Sequence, residues 1–306
     1  MTGTTPSHAF PHVTVGMPVF NGEPFLAATL DSVLSLDYPA FDVVVSDNAS
    51  TDSTLSLLRD RAGADPRLRI VTTEINMGAG WNFNRVLELA EGKYFHWAGA
   101  DDLMDRAFLS RCVNALEENP GAVLSYPRTM LIDADGEETG EFPNRLELAD
   151  KSPSGRLRRY IRNIRLANPI FGVIRTEELK EAGGLGTFPS ADLLTLGRLA
   201  IKGKFIEVDQ VMFYRRMHEG QSWQGAGGHE GFAAWFDPLH PKRVVFPSWR
   251  LLGEFLRTSV LADIGAAEKL RCVLVVLVEW PRRRWRQMIG ELTRTRRILF
   301  RRAPKV

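Results

Sequence analysis

VTVGMPVFNGEPFLAATLDSVLSLDYPAFDVVVSDNASTDST, residues 13–54, holds two short apolar runs on either side of a segment with helical spacing. Residues 13–17 predict a buried strand ending at Pro18. Residues 24–36 place Phe25, Leu26, Leu30, Val33 and Leu34 on one helical face. Residues 41–46, FDVVVS, are β-branched and apolar, as in a central strand. The alternation continues outward. Helices are predicted at 51–61, 81–90 and 103–118, and strands at 68–72, 94–98 and 122–126. Gly92 stops one helix and Asn119-Pro120-Gly121 another. Strand and helix joined by short connections predict an α/β fold with a mostly parallel sheet flanked by helices. The pattern weakens after about residue 135. Residues 140–155 read as a loop, 156–166 as a basic helix, 171–174 as a strand and 192–200 as a helix. Residues 205–214 read as strand, turn and strand. Residues 220–249, rich in Gly and Trp, read as a long loop.

The chain has 306 residues, 44% apolar and 25% charged, and a mass of 34.4 kDa. That composition fits one large globular domain, or one domain with an extension, and excludes collagen-like, disordered and disulfide-scaffold classes. Cys112 and Cys272 are the only cysteines, too few for a disulfide framework or a Cys-rich metal site. The first twelve residues lack the basic and apolar regions of a secretory signal, and no apolar run approaches the roughly 20 residues that span a bilayer. The net charge of +2 hides an asymmetry: residues 281–306 carry nine Arg, one Lys and one Glu, or +9, which leaves −7 on the rest.

Ligands of a parallel α/β sheet bind at the carboxyl ends of its strands. Four predicted strands deliver Asn, Asp and Gly to that rim: Pro18-Val-Phe-Asn-Gly22, Asp47-Asn-Ala-Ser-Thr-Asp52, Glu74-Ile-Asn-Met-Gly78 and Asp101-Asp102. Each group also suits turns and helix caps, and Ser50 and Thr51 are expected to cap the helix that follows them. Four such groups on one rim point to a site.

Residues 15–54 closely resemble the N-terminal half of family 2 glycosyltransferases, which have the GT-A fold. NMGAGWNFNRVLELAEGKYFHWAGADDLM, residues 76–104, strengthens the resemblance, and NPIFGVIR (168–175), SADLLTLGRLAIKG (190–203) and YRRMH (214–218) are similar to later family blocks. The resemblance covers residues 12–220. It implies a GT-A, Rossmann-like sheet and an inverting transfer of sugar from a nucleotide-diphosphate sugar to a hydroxyl acceptor, with Mg²⁺ or Mn²⁺ as cofactor. The implied acceptor is a glycan or lipid-linked molecule of polysaccharide, glycolipid or cell-envelope synthesis. The nucleotide would lie against Pro18, Val19, Phe20, Asn21, Asp47, Asn76, Gly78 and Asp101, with Asp47 accepting N–H groups of the base. Asp101 and Asp102 are the implied metal ligands, since carboxylates suit hard divalent cations, and His218 or Arg215 and Arg216 would serve the metal or the diphosphate. The family often reads Asp-x-Asp-Asp where this chain has Gly99-Ala-Asp-Asp102. Asp192 matches the catalytic base.

Each assignment has a structural counterpart. An Asp pair also favours a helix N-terminus, Asp47 suits a strand-end turn, Asp192 suits an N-cap, and 214–218 suits a solvated basic loop. His96, inside a strand, reads as packing. A dinucleotide-binding enzyme is disfavoured because Gly78-Ala-Gly80 lacks the third glycine, with Phe83 in its place. The alternative of another class is a catalytically impaired nucleotide-sugar-binding relative, for which Gly99 is the one support.

The expected organisation is a glycosyltransferase domain over 1–220, with a nucleotide half (12–130) and an acceptor half (131–220). A Gly/Trp-rich loop and helical extension covers 221–269, and a basic amphipathic tail 270–306. The loop from 220 to 249 is expected to form a mobile part of the acceptor side, with Trp223 and Trp235 as sugar platforms. The tail, apolar and Arg-rich, suits an anionic membrane surface, with nucleic acid disfavoured. Its counterpart is a helix packing Leu274, Leu277 and Trp280 on the domain. The expected location is the cytoplasm, peripheral on the inner face of the cell membrane.

Overall fold

The computed structural model describes residues 10–143, 145–219, 235, 236, 238 and 246–301, with residues 294–301 described through the backbone alone. In chain order the nucleotide half contains β1 (Val13–Val19), α1 (Leu26–Leu34), β2 (Phe41–Asp47), α2 (Thr54–Ala64), β3 (Leu68–Thr72), α3 (Ala79–Glu88), β4 (Tyr94–Trp97), β5 (Leu103–Met104), α4 (Phe108–Glu118) and β6 (Ala122–Ile132). There follow β7 (Glu138–Glu141), α5 (Pro153–Asn163), a 3₁₀ turn (Asn168–Phe171), β8 (Val173–Arg175), α6 (Thr176–Glu181), α7 (Ala191–Lys202) and β9 (Lys204–Arg216). Two further helices are α8 (Pro247–Leu261) and α9 (Ala266–Arg301).

The strands form one nine-stranded sheet in the order β3-β2-β1-β4-β8-β6-β9-β5, with β7 paired to β6. β3, β2, β1 and β4 are mutually parallel, and β6 is parallel to β9. β8 runs antiparallel between β4 and β6, which joins the two parallel blocks. The period-2 alternation of strand side chains sorts the residues between two cores. Val13, Val15, Met17, Val43 and Val45 pack with α1 and α4 on one face. Val44, Phe95 and Trp97 pack with α3, α5 and α7 on the other. Gly16 lies under α3, where a Cβ would sit 2.6 Å from the Phe95 ring and 2.8 Å from Val86. Only glycine lets helix and sheet approach this closely.

Several predicted boundaries shift for tertiary reasons. The helix expected from 103 begins at Phe108, because Leu103 and Met104 pair with Tyr214 and Phe213 as β5. The strand expected to stop at 126 runs to Ile132, since β9 lies beside it along that length. β9 is a single strand rather than strand, turn and strand, with register shifts at its pairing to β6. His96 is buried against Phe108, as packing requires.

The C-terminal helices belong to the same body. Leu251, Phe255, Cys272, Val275, Val276, Trp280 and Met288 join the core formed by α5 and α7. Trp280 Nε1–H donates to the Ser248 carbonyl (2.9 Å), and Trp249 Nε1–H donates to the Met288 carbonyl (3.1 Å), so each helix anchors the other. The Arg283 guanidinium donates to the Ile161, Arg162 and Ile164 carbonyls at the end of α5, where cations complement exposed carbonyl groups. The boundary expected at 269/270 therefore falls inside α9. Leu274 and Leu277, expected to pack on the domain if the tail were structural, face outward, while Trp280 is buried. No helix among the described residues is long and apolar enough to cross a membrane.

Candidate active site

The loop after β1 is held open by its neighbour after β2. Asn21 has φ 50°, and its backbone N–H donates to Ser50 Oγ at 2.8 Å while its Oδ1 accepts Thr51 N–H at 2.8 Å. Gly22 N–H donates to Thr54 Oγ1 at 2.8 Å. Ser50 and Thr51 thus tie two loops together, and α2 is preceded by Ser53, whose side chain makes no cap bond. Pro18 and Val19 are buried at the end of β1, and Phe20 is exposed at the mouth.

Asp47 ends β2 and is nearly inaccessible, at 2% exposure. Its Oδ2 accepts Ser50 N–H at 3.4 Å, and its Oδ1 has no hydrogen-bond partner among the described residues. A buried carboxylate oxygen without a donor is costly unless a ligand supplies one. Asn48 organises the neighbouring loop: its Nδ2 donates to Asn76 Oδ1 (2.9 Å) and its Oδ1 accepts Met77 N–H (2.9 Å). Asn76 Oδ1 also accepts Gly78 N–H. Gly78 has φ 87°, and a Cβ there would lie 2.4 Å from the Phe236 carbonyl oxygen, so both conformation and space require glycine.

The second half of the rim comes from β4 and β9. Asp101 Oδ2 and His218 Nε2 are 3.1 Å apart, and the His218 ring packs against Phe25 with the two planes tilted by 53°. Asp102 is turned inward at 4% exposure, its Oδ1 accepting Arg216 N–H at 2.9 Å. Burial, reinforced by the Asp101 charge and opposed by Arg215, pushes its carboxyl up to about 8. Arg216 is a structural clip rather than a phosphate clamp: Nε donates to the Asp101 carbonyl, and Nη1 to the Asp133 and Ala134 carbonyls. Arg215 donates to Asn168 Oδ1.

Asp192 lies in the first turn of α7. Ser190, at φ 65°, occupies the N-cap without a side-chain bond, and Asp192 Oδ1 accepts Leu193 N–H at 2.8 Å. Burial raises the Asp192 carboxyl above its ordinary range, opposed by that N–H and by the positive charge of Arg215. The positive charge of Arg215 favours the ionised form of both Asp102 and Asp192.

Three asparagines were not singled out by the sequence. Asn82 Nδ2 donates to the Val19 (3.2 Å) and Ser46 (3.0 Å) carbonyls, pinning the ends of β1 and β2. Asn84 exchanges two hydrogen bonds with the Leu185 backbone, fixing the loop that leads to α7. Asn168 holds Arg215. The available signal, for Asn82, was a polar side chain on the sheet-facing side of α3, where a helix packed by apolar contact alone has none.

The site residues fit a divalent cation. Asp101 Oδ2 and His218 Nε2 are within hydrogen-bond distance of each other at 3.1 Å, and the same spacing would suit adjacent ligands of one ion, since ligands about 2.1 Å from Mg²⁺ at right angles lie about 3 Å apart. Among the described residues no group of three or more His, Cys, Asp or Glu gathers for a metal. A pair leaves coordination positions for phosphate oxygens, as in sites that bind metal together with substrate. Gly99 belongs to this geometry: a Cβ there would lie 2.8 Å from Asp102 Oδ2 and 3.0 Å from Asp101 Oδ1. A side chain at 99 would require these two carboxylates to shift.

Residues 14–175 match the family described as glycosyl transferase family 2, and the chain belongs to that family. It is 30% identical over 132 residues to a putative teichuronic acid biosynthesis glycosyltransferase, TuaG, of Bacillus subtilis, covering 43% of this chain and 52% of that protein. It is 25% identical over 126 residues to the chondroitin synthase of Escherichia coli, covering 41% of this chain and 18% of that one. The chain spans about half the length of TuaG and less of the chondroitin synthase. In fold it is similar to residues 1–349 of S. aureus TarS in complex with UDP-GlcNAc, with TM-score 0.65 and 19% identity, covering 92% of this chain and 79% of that one. It is also similar to the mannosyltransferase PcManGT of Pyrobaculum calidifontis in complex with GDP-Man and Mn²⁺, with TM-score 0.53 and 22% identity, covering 94% and 86%. The fold is of the GT-A type.

Proposed function

We propose that this chain is an inverting glycosyltransferase that moves a hexose from a nucleotide-diphosphate sugar to a hydroxyl of a polysaccharide, glycolipid or cell-envelope glycan. The observation that carries the proposal is the pairing of Asp101 with His218 beside the inward-turned Asp102, on the same rim as a buried Asp47 oxygen that lacks a donor. Asp47 Oδ1 accepts an N–H of the nucleobase, and Asn48 and Asn76 hold the loop that closes that pocket. Asp101 and His218 are the residues that would hold Mg²⁺ or Mn²⁺, which would supply positive charge against the diphosphate leaving group. Asp102 orients Arg216 and, through it, the turn that carries Asp101. The glycosidic bond to the diphosphate breaks as the bond to the acceptor oxygen forms on the opposite face. The acceptor proton passes to Asp192, whose raised affinity for a proton suits a general base.

The teichuronic acid and chondroitin names of the relatives support a polysaccharide acceptor, and the UDP-GlcNAc and GDP-Man complexes of the structural neighbours support a nucleotide-sugar donor. Gly99 gives little support to an impaired relative, because the space it leaves is filled by the two carboxylates. The test is a thermal-shift screen of nucleoside diphosphates with and without Mn²⁺, followed by NMR of the product's anomeric configuration. One diphosphate raising the melting temperature only with metal, and an inverted product, are expected. No response to any diphosphate, or a retained configuration, overturns the proposal.

A further inference from the structure

The helices α8 and α9 carry an apolar surface that no element described here covers. Leu270, Leu274, Leu277, Trp285, Ile289 and Leu292 recur at near-heptad and four-residue steps, and each is between 50% and 61% exposed. That spacing puts them on one face of α9. The opposite face carries Cys272, Val276 and Trp280, all buried in the shared core. Val260 and Leu261 at the end of α8, 56% and 67% exposed, extend the surface across a groove of about 540 Å³ between the two helices. Scattered exposed leucines are ordinary, but a continuous stripe on a well-packed helix marks an interaction surface.

The charge around the stripe selects the partner. Arg271, Arg282 and Arg286 follow one edge, and Arg257 lines the groove. Arg257, Arg282 and Arg286 make no ion pair among the described residues, and the Arg286 guanidinium lies 5.2 Å from the centroid of the Trp285 ring. The acids of α9 are otherwise engaged: Glu268 with Arg271, Glu279 buried against Arg162, and Glu291 with Ser248 N–H. In the sequence, residues 294–306 add five Arg and one Lys without an acid. Apolar residues bordered by cations, with an interfacial Trp among them, suit a surface whose headgroups are anionic and whose interior is hydrocarbon.

We propose that α8 and α9 form a docking face for an anionic bilayer, with the outward stripe of α9 lying in the plane of the headgroups. This differs from anchoring by a flexible tail, because the docking residues are fixed to the core that carries α7. It does not depend on the transfer reaction proposed above.

The test uses the full chain and vesicles of phosphatidylcholine alone or mixed with phosphatidylglycerol. Sedimentation should bring the wild type down with the mixed vesicles and not with the neutral ones, and Trp fluorescence should be quenched by brominated lipid, less so in Trp285→Phe. L274E/L277E, at outward positions, should lower binding at least about tenfold, and R282E/R286E should do so while weakening the salt dependence. Far-UV circular dichroism of the same variants, unchanged from wild type, shows that they fold. Absence of wild-type binding to mixed vesicles, or binding undiminished in both variants, overturns the proposal. So does a wild-type dimer in analytical ultracentrifugation that L274E/L277E disperses, which would make the face a contact between copies. A large fall in melting temperature in L274E/L277E would also overturn it, since it would show that another segment of the chain covers the face.

Discussion

The rim at the carboxyl ends of the strands and the outer face of α9 depart from ordinary burial in opposite directions. At the rim, polar groups are inside: Asp47 and Asn48 are 2% exposed and Asn82 is 3% exposed. On α9, apolar groups are outside, while the acid Glu279 is 5% exposed. The rim tolerates its polar interior because nearly every group has a partner, Asn82 spanning two carbonyls and Asn48 clasping Asn76 and Met77. The exceptions are Asp47 Oδ1, Asn82 Oδ1 and Ser46 Oγ, and of these the carboxylate oxygen points most directly to a missing donor. On α9 the unmatched groups are leucines and a tryptophan facing water. A group out of place thus indicates the chemistry of what belongs beside it: an N–H donor in one region, an apolar medium in the other.

The strongest way to break the comparison is at the start of α7. Asp192→Asn removes the base while keeping the side-chain shape. Turnover should fall by about 10²–10⁴-fold with donor affinity nearly unchanged. Steady-state kinetics with calorimetric donor titration check this, and near-normal turnover would remove Asp192 from the reaction.

The inward and outward faces of α9 can be separated by stability. Trp280→Ala should cost about 3–5 kcal/mol, because a fully buried ring and its bond to Ser248 are lost. Leu274→Ser should change stability by no more than about 0.5 kcal/mol. Urea unfolding distinguishes the two, and equal effects would mean that the outer face is packed after all.

At the rim, Asp101→Asn or EDTA should lower activity about 100-fold, the scale of a few kcal/mol of charge stabilisation. Added Mn²⁺ should restore the wild type after EDTA and leave Asp101→Asn low. Full activity in EDTA would exclude a metal-assisted step.

The smallest effect concerns His96, buried between the Gly172 carbonyl and Met104 sulfur. Burial lowers its ring to about 4 from the ordinary 6.5. The unfolded chain therefore binds a proton that the folded chain refuses between these values, and stability falls as pH drops below about 6.5. The loss should be roughly 1 kcal/mol by pH 5.5, near the limit of 1.36 kcal/mol per unit for one group. His96→Leu should flatten this part of the wild-type pH profile in urea midpoints, and an unchanged slope would assign it to other groups.

Much of this was legible in local sequence. The alternation of FDVVVS and helical runs defined the nucleotide half, because parallel strands buried on both faces must be continuously apolar. The rim residues could be located because they follow strand ends. Residues 220–234, with Trp223, lie outside the described residues, as do 237, 239–245 and the tail after 301; Trp235, the other expected sugar platform, is 37% exposed and stands edge-on to Phe236.

What the sequence by itself determined was therefore the order of elements, the family and the position of Asp47, Asp101, Asp102 and Asp192 along the chain. Tertiary structure decided which of them face one another. Asp101 meets His218, 117 residues away in sequence, because the end of β9 pairs with β5, directly after the Asp101-Asp102 turn. Pairing with β9 also turned Leu103 and Met104 from the expected helix into a strand. Packing against α5 and α7 decided which face of α9 is buried, and so which leucines remain outside. Local spacing determines that a helix has two faces. Only the neighbours supplied by distant parts of the chain determine which one loses its water.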